Sequence, residues 1–269
     1  MAAFQGQGLV LDAGGIAAAC DTLGVHAAEL WAVLTVETRG CGFLADRRPL
    51  ILFERHYFSR LTKRKFDTQA PDISSRQWGG YSGGAREYDR LGRAVKLDRA
   101  AALRSASWGL GQVMGENFKA AGFPEVEPMV TAFMESENAQ LEGMARFIGS
   151  IGVDKHLRAH NWPAFAAAYN GPAYAQNSYD ERLRAAHQKY VTGALPDLHV
   201  RAIQAYLVYL DYNPGPVDGV VGRFTRSALR MFQEREGLPL REAFDADMVK
   251  AVRERAVGGA GARARSRGR

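Results

Sequence analysis

The sequence of 269 residues predicts a mainly helical α+β protein built as two domains. Three observations predict it. Apolar residues recur at helical spacing, most clearly over Met129 to Ser150, where Val130, Phe133, Met134, Leu141, Met144, Phe147 and Ile148 repeat on one face. A short run, Pro49-Leu50-Ile51-Leu52-Phe53-Glu54-Arg55-His56-Tyr57-Phe58, is rich in aliphatic and aromatic types and reads as a strand or two within 43–58. At Gly193-Ala194-Leu195-Pro196 a linker separates this pattern from a second, smaller helical one.

Taken in order, two short helices open the chain, with a break between Asp21 and Gly24 and the second helix running from about His26 to Arg39. The strand region follows. Residues 67–92 hold Pro71, Gly79, Gly80, Gly83, Gly84 and Gly92 and predict a long irregular stretch, with helices resuming near Arg93. Beyond the linker, Ile203 and Leu207 share one apolar face, as do Leu229 and Phe232. Asp218-Gly219 predicts a tight turn between them, Thr225 a helix cap, and residues 244–256 a third helix.

Composition bounds the class. The hydrophobic and charged fractions are ordinary for a globular protein, and no apolar run approaches the ~18–20 residues of a membrane span. Met1 to Val10 lacks the basic patch and apolar core of a secretory signal, so synthesis in the cytoplasm is expected. Cys20 and Cys41 are too few for a disulfide framework. The net charge is +6, but Arg263, Arg265, Arg267 and Arg269 carry it down to +2 when set aside. Basicity is thus concentrated in Gly258 to Arg269, whose Gly/Ala/Arg composition cannot bury a core; it predicts a solvated tail able to touch an anionic surface.

Glu37 carries the most chemistry. Leu30, Val33, Leu34 and Glu37 fall at i, i+3, i+4 and i+7, so the carboxylate continues a buried stripe. It also lies in the last turn before Gly40, where the helix dipole disfavours an anion. Burial and dipole are both expected to favour the protonated acid, which is what a glycosidase needs to protonate a leaving oxygen. Two further motifs suit a carbohydrate cleft. In Ser107-Trp108-Gly109-Leu110-Gly111-Gln112-Val113-Met114-Gly115, small residues allow close backbone approach and the Gln112 amide matches a sugar acetamido group. In Ala168-Tyr169-Asn170-Gly171-Pro172, a stacking Tyr precedes a turn. A second carboxylate is expected 5–5.5 Å or roughly 6.5–9.5 Å from the first, depending on stereochemistry. Glu54 is the first candidate because it interrupts an apolar strand, the alternative being a buried ion pair with Arg55 or another Arg; Asp67 and Asp72 also lie in reach of a cleft. His156 and His160 have i, i+4 spacing but no evident third ligand, so no metal is expected, and no cofactor. Cys41 has no obvious His partner, which argues against a thiol nucleophile.

In order, these motifs resemble the lysozyme-like superfamily that includes goose-type lysozymes and soluble lytic transglycosylases. More narrowly, Val36-Glu37-Thr38-Arg39-Gly40-Cys41-Gly42-Phe43-Leu44, Arg48 to His56, Ser107-Trp108-Gly109-Leu110 and Tyr169-Asn170-Gly171-Pro172 resemble the N-acetylmuramidase domain of bacteriophage endolysins. Thr38 stands where many relatives carry Ser. The resemblance implies a lysozyme-like domain over 12–192 in which Glu37 is the acid and Thr38, Gln112, Tyr169 and Asn170 bind substrate. The segment Val200 to Gln233 resembles a three-helix peptidoglycan-binding module, placed at 197–257 and followed by the tail 258–269; Asp211 and Arg223-Phe224 depart from its usual pattern. The implied activity is cleavage of the β-1,4 bond between N-acetylmuramic acid and N-acetylglucosamine, with lysis of the cell. A lytic transglycosylase leaving 1,6-anhydro ends and a non-catalytic wall-binding protein are the alternatives. The implied partner is bacterial peptidoglycan, with an anionic outer-membrane surface for the tail, no nucleic acid, and a monomeric chain that acts on the wall after release from the host cytoplasm.

Overall fold

The computed structural model describes residues 3–38, 40–171 and 177–258. The tail assigned to 258–269 therefore lies, apart from Gly258, outside the described residues. No single described helix is long and apolar enough to cross a membrane.

The first helices are α1 (Ala13–Leu23) and α2 (Ala27–Glu37). Asp12 caps α1 by accepting from the Gly15 N–H at 3.0 Å, and Gly24 ends it at φ 64°, a left-handed conformation that glycine adopts without penalty. Helix α2 is packed nearly all round: Leu30, Ala32, Val33 and Leu34 are buried against the rest of the domain core.

The β region is smaller than the apolar run suggested. Strand β1 is only Ile51–Phe53, and Glu54 already N-caps a helix, α3 (Arg55–Leu61). Glu54 is therefore at a strand end, not inside one. Two strands come from the Gly-rich motif instead: β2 (Ala106–Trp108) and β3 (Val113–Met114) form an antiparallel hairpin, and β1 pairs with β2 in the register Ile51–Trp108, Leu52–Ser107, Phe53–Ala106.

The irregular stretch ends earlier than expected, because α4 spans Glu87–Leu97 and is followed by α5 (Arg99–Arg104). Glu87 explains how a Gly-rich segment is held. Its carboxylate is fully buried; one oxygen accepts from the Ser82 and Gly83 N–H groups at 2.5 and 2.8 Å, the other from the Phe53 N–H at 3.2 Å and from Arg90 at 2.9 Å. One paired, fully bonded anion thus ties the loop to β1.

The periodic run 129–150 is not one helix but two, α6 (Val126–Glu135) and α7 (Glu137–Ser150). Ser136 lies between them with extended backbone, its hydroxyl capping α7 by accepting from the Ala139 N–H, while its backbone bridges to Leu9. Apolar spacing runs through the break; the polar run Glu135-Ser136-Glu137-Asn138 marks it. Then come α8 (Asp154–Arg158), α9 (Trp162–Asn170) and α10 (Tyr179–Thr192), the last packed along α2.

Helices α11 (Leu198–Tyr209), α12 (Arg223–Glu236) and α13 (Ala246–Gly258) form the expected three-helix unit around Ile203, Leu207, Leu229, Phe232 and Val252. Helix α12 starts earlier than Thr225: Gly222 is the cap residue, and the Thr225 hydroxyl takes part in the cap by accepting from the Gly222 N–H at 3.5 Å while donating to the Pro214 carbonyl at 2.9 Å. Buried Gln204 accepts from the Asp218 and Gly219 N–H groups and fixes the loop before α12.

The two apolar patterns are not independent. Val10 and Phe43, from the first half of the chain, belong to the core of the three-helix unit. Tyr209 donates to the Gly8 carbonyl, and the Val10 N–H donates to the Tyr206 hydroxyl. At the centre of the junction lies a buried ion pair, Arg201–Glu137, with the two side chains 3% and 0% exposed.

Candidate active site

Glu37 is the last residue of α2, half-buried at the end of the Leu30, Val33, Leu34 stripe, as its spacing predicts. The chain leaves the helix at Thr38, whose backbone is extended and whose hydroxyl donates to the Leu34 carbonyl at 2.6 Å. Thr38 is thereby a helix-end lock as well as a cleft residue.

The turn after it is held from outside. The Glu137 carboxylate accepts from the Gly42 N–H at 2.7 Å and the Leu11 N–H at 2.8 Å, and Arg201 donates to both its oxygens and to the Gly40 carbonyl at 2.6 Å. Gly40 sits at φ 89°, and a Cβ there would come 2.6 Å from the Val217 carbonyl oxygen. Only glycine satisfies both conditions. Desolvation pushes the Glu137 carboxyl up, yet the Arg201 cation and the hydrogen bonds outweigh it and hold the group below the usual carboxylate range.

Tyr169 reaches the same place from α9. Its ring stacks on Phe165 at 5.6 Å between centroids, and its hydroxyl donates to the Gly111 carbonyl at 3.0 Å. Burial raises its pKa first, and the neighbouring Glu37 carboxylate raises it further, so the phenol stays a neutral donor. The three separated motifs thus meet: Glu37 from the first, Gly111 from the second, Tyr169 from the third. The side chain of Asn170 lies outside the described residues.

Gln112 is at this meeting point, but its amide is used internally. At φ 47° it closes the β2–β3 turn, donating to the Leu50 and Gly109 carbonyls at 3.1 and 2.8 Å and accepting from the Ser107 hydroxyl at 2.8 Å. The close approach permitted by the glycines is likewise internal. A Cβ on Gly109, at φ 69°, would come 2.4 Å from Gln140 of α7. Three bonds spent on the hairpin make Gln112 a residue that shapes the turn under Tyr169.

Glu54 is held apart from that turn. It lies four residues beyond Leu50, roughly 13 Å of extended chain. Its oxygens accept from the Tyr81 hydroxyl at 2.9 and 3.0 Å, and His56 Nδ1 is 3.1 Å from Oε2, at ion-pair distance without hydrogen-bond geometry. Arg55 does not pair with it; its guanidinium donates to the carbonyls of Pro71, Gln77 and Trp78. Burial, then the bond to Glu54, pushes the Tyr81 phenol up to about 12. Asp67 accepts from Ser59 and Ser74, and Asp72 pairs with Arg93, so both have structural partners.

Two surface features were not read from the sequence. A depression of about 630 Å³ beside Glu54 is lined by His56, Arg60, Lys63, Arg64 and Arg76 with no acid among them. A cleft of about 720 Å³ runs between the two halves, from Leu34 and Thr38 to Pro216 and Val221. Burial, reinforced by Glu137, pushes the Cys41 thiol up to about 12, which disfavours the thiolate a nucleophile needs.

Residues 26–191 match the family model described as N-acetylmuramidase. The chain belongs to the N-acetylmuramidase family. Residues 197–240 match a putative peptidoglycan binding domain. Among solved structures, the chain is similar to the Burkholderia AP3 phage endolysin, at 42% identity and a TM-score of 0.63, covering 66% of this chain and 69% of that one. No curated protein matches it. The fold is a lysozyme-like domain with a small sheet, joined to a helical peptidoglycan-binding domain, and the protein is a peptidoglycan-cleaving glycosidase.

Proposed function

We propose that this muramidase cleaves the β-1,4 bond between N-acetylmuramic acid and N-acetylglucosamine, and that it lyses cells as an endolysin. Glu37 is the general acid. The observation that carries this reading is the convergence of Glu37, Gly111 and Tyr169, drawn from three distant parts of the chain. In the acid role the Glu37 carboxyl protonates the glycosidic oxygen as the bond breaks. Thr38, Tyr169 and Asn170 are assigned to substrate binding, with Gln112 shaping the hairpin turn, and peptidoglycan carboxylates face the basic depression lined by His56 and Arg60. The three-helix module holds the enzyme on the wall.

Glu54 is the proposed second carboxylate, oriented by Tyr81. One observation favours a rival course, transglycosylation without a second carboxylate: the chain separation between Glu54 and the turn at Gly109–Gln112. Mass spectrometry of muropeptides released from purified sacculi distinguishes the two. Reducing muramic ends mean hydrolysis, and 1,6-anhydro ends mean transglycosylation. Glu37→Gln should abolish either while leaving the melting temperature in place. Digestion persisting above ~1% of the parent rate removes Glu37 from the acid role, since acid–base groups contribute 10²–10⁴-fold.

A further inference from the structure

We infer that Glu29, His160 and His187 form a binding site for a divalent transition-metal ion, Zn²⁺ foremost. The three residues come from separate segments: the first turn of α2, the turn between α8 and α9, and the middle of α10. Glu29 Oε1 lies 2.7 Å from His160 Nε2 and 3.1 Å from His187 Nε2, and the three ligand atoms all fall within 4.8 Å of one another. A tetrahedral zinc ion with bonds of about 2.0–2.1 Å spaces its ligand atoms about 3.4 Å apart, so small side-chain rotations suffice.

The cluster is built rather than incidental. His160 stands at φ 50°, a left-handed conformation unusual for a residue with a side chain, and its ring stacks on buried Trp162 at 9°. The other oxygen of Glu29 accepts from the His26 N–H at 3.1 Å, which fixes the carboxylate plane. Burial pushes the Glu29 carboxyl up, but bonds from both histidines outweigh it and keep the group ionised. The two imidazole rings lie 4.3 Å apart between centroids, and both Nε2 atoms converge on the one carboxylate oxygen. One divalent ion placed among the three atoms takes the place of the two hydrogen bonds. Each imidazole shifts its proton from Nε2 to Nδ1, the carboxylate remains an anion, and a water completes the shell on the open side, where the His160 side chain is 47% exposed. Two nitrogens and one oxygen suit zinc better than calcium or magnesium.

The site is separate from the proposed acid. Glu29 and Glu37 are on one helix eight residues apart, about 12 Å along its axis. The ion clamps α2 to α10 and to the α8–α9 turn. The i, i+4 pair His156 and His160 is not the ligand set, because α8 ends at Arg158 and His160 turns away from it.

Calorimetric titration of the metal-stripped full-length chain with ZnCl₂ tests the site. One ion per chain is expected, with a rise in melting temperature of about 5 °C at a hundredfold excess over Kd. Co²⁺ should give the visible absorption of a four- or five-coordinate nitrogen–oxygen site. His160→Ala and His187→Ala should each weaken binding at least about tenfold, and His156→Ala should not. His160 is half-exposed, so its variant folds even if that of His187 does not. Absence of binding at a large molar excess overturns the inference, as does unchanged affinity in either folded variant.

Discussion

The Arg201–Glu137 pair offers the most quantitative test of how the two halves cooperate. Arg201→Met keeps the length of the side chain and removes its charge. Glu137 would remain fully buried with only the Leu11 and Gly42 N–H groups, and the Gly40 carbonyl would lose its donor. Breaking a buried pair from one side costs about 3–5 kcal/mol. At about 2–4 °C per kcal/mol for a chain of this size, the melting temperature should fall by about 10 °C. The pH dependence carries a sign. In the parent, the Glu137 carboxyl is held below its unfolded value, so its contribution is present above about pH 4.3 and is lost as pH falls through the folded value. Without Arg201, burial dominates and raises that value, so the variant should be most impaired at neutral pH and less so near pH 4. Urea unfolding at both pH values, with Glu137→Gln and the double variant completing a cycle, measures the coupling. Deleting the chain from Leu195 onward should be worse than the point change, because it also exposes Val10 and Phe43. A cost below about 1 kcal/mol, the value of an exposed pair, would refute the reasoning, as would a truncated domain as stable as the parent.

Glu54→Gln should lower kcat on sacculi at least about 10²-fold if Glu54 is the second carboxylate, with a loss of stability of only about 1–2 kcal/mol because its partner is the Tyr81 hydroxyl and not an arginine; full activity in steady-state assays would support a single-acid mechanism. Gln112→Ala should cost about 1–3 kcal/mol by chemical denaturation, since it removes the three side-chain hydrogen bonds to Leu50, Gly109 and Ser107, each worth about 0.5–1.5 kcal/mol; an unchanged stability with a raised KM would return its amide to the substrate.

Much of this protein is legible in the sequence because its signals are local. The αL break at Gly24, the apolar stripe ending at Glu37 and the faces of α11 and α12 each depend on residues within a few turns of one another, where backbone geometry and solvent exclusion act directly. The misread elements share the opposite property. β2 and β3 are three and two residues long, too short for alternation, and exist because β1 and the Gln112 amide pair with them. The split of α6 from α7 keeps apolar spacing on both sides, and the strand-like bridge from Leu9 to Ser136 is what the periodicity does not carry.

The sequence by itself determined which residue is the acid candidate, that the motifs belong together, and that two helical units follow one another. Only the tertiary structure decided what their side chains do. Gln112 turned inward, where its amide meets the Leu50 and Gly109 carbonyls and the Ser107 hydroxyl that the folded hairpin brings together. His160 abandoned His156 for Glu29 and His187 because α8 stops short of it. Glu137 and Arg201, 64 positions apart, became a buried pair whose existence no local pattern announces. Burial and partnership are properties of the assembled core, and a charge finds its counter-charge only after the chain has brought both out of water.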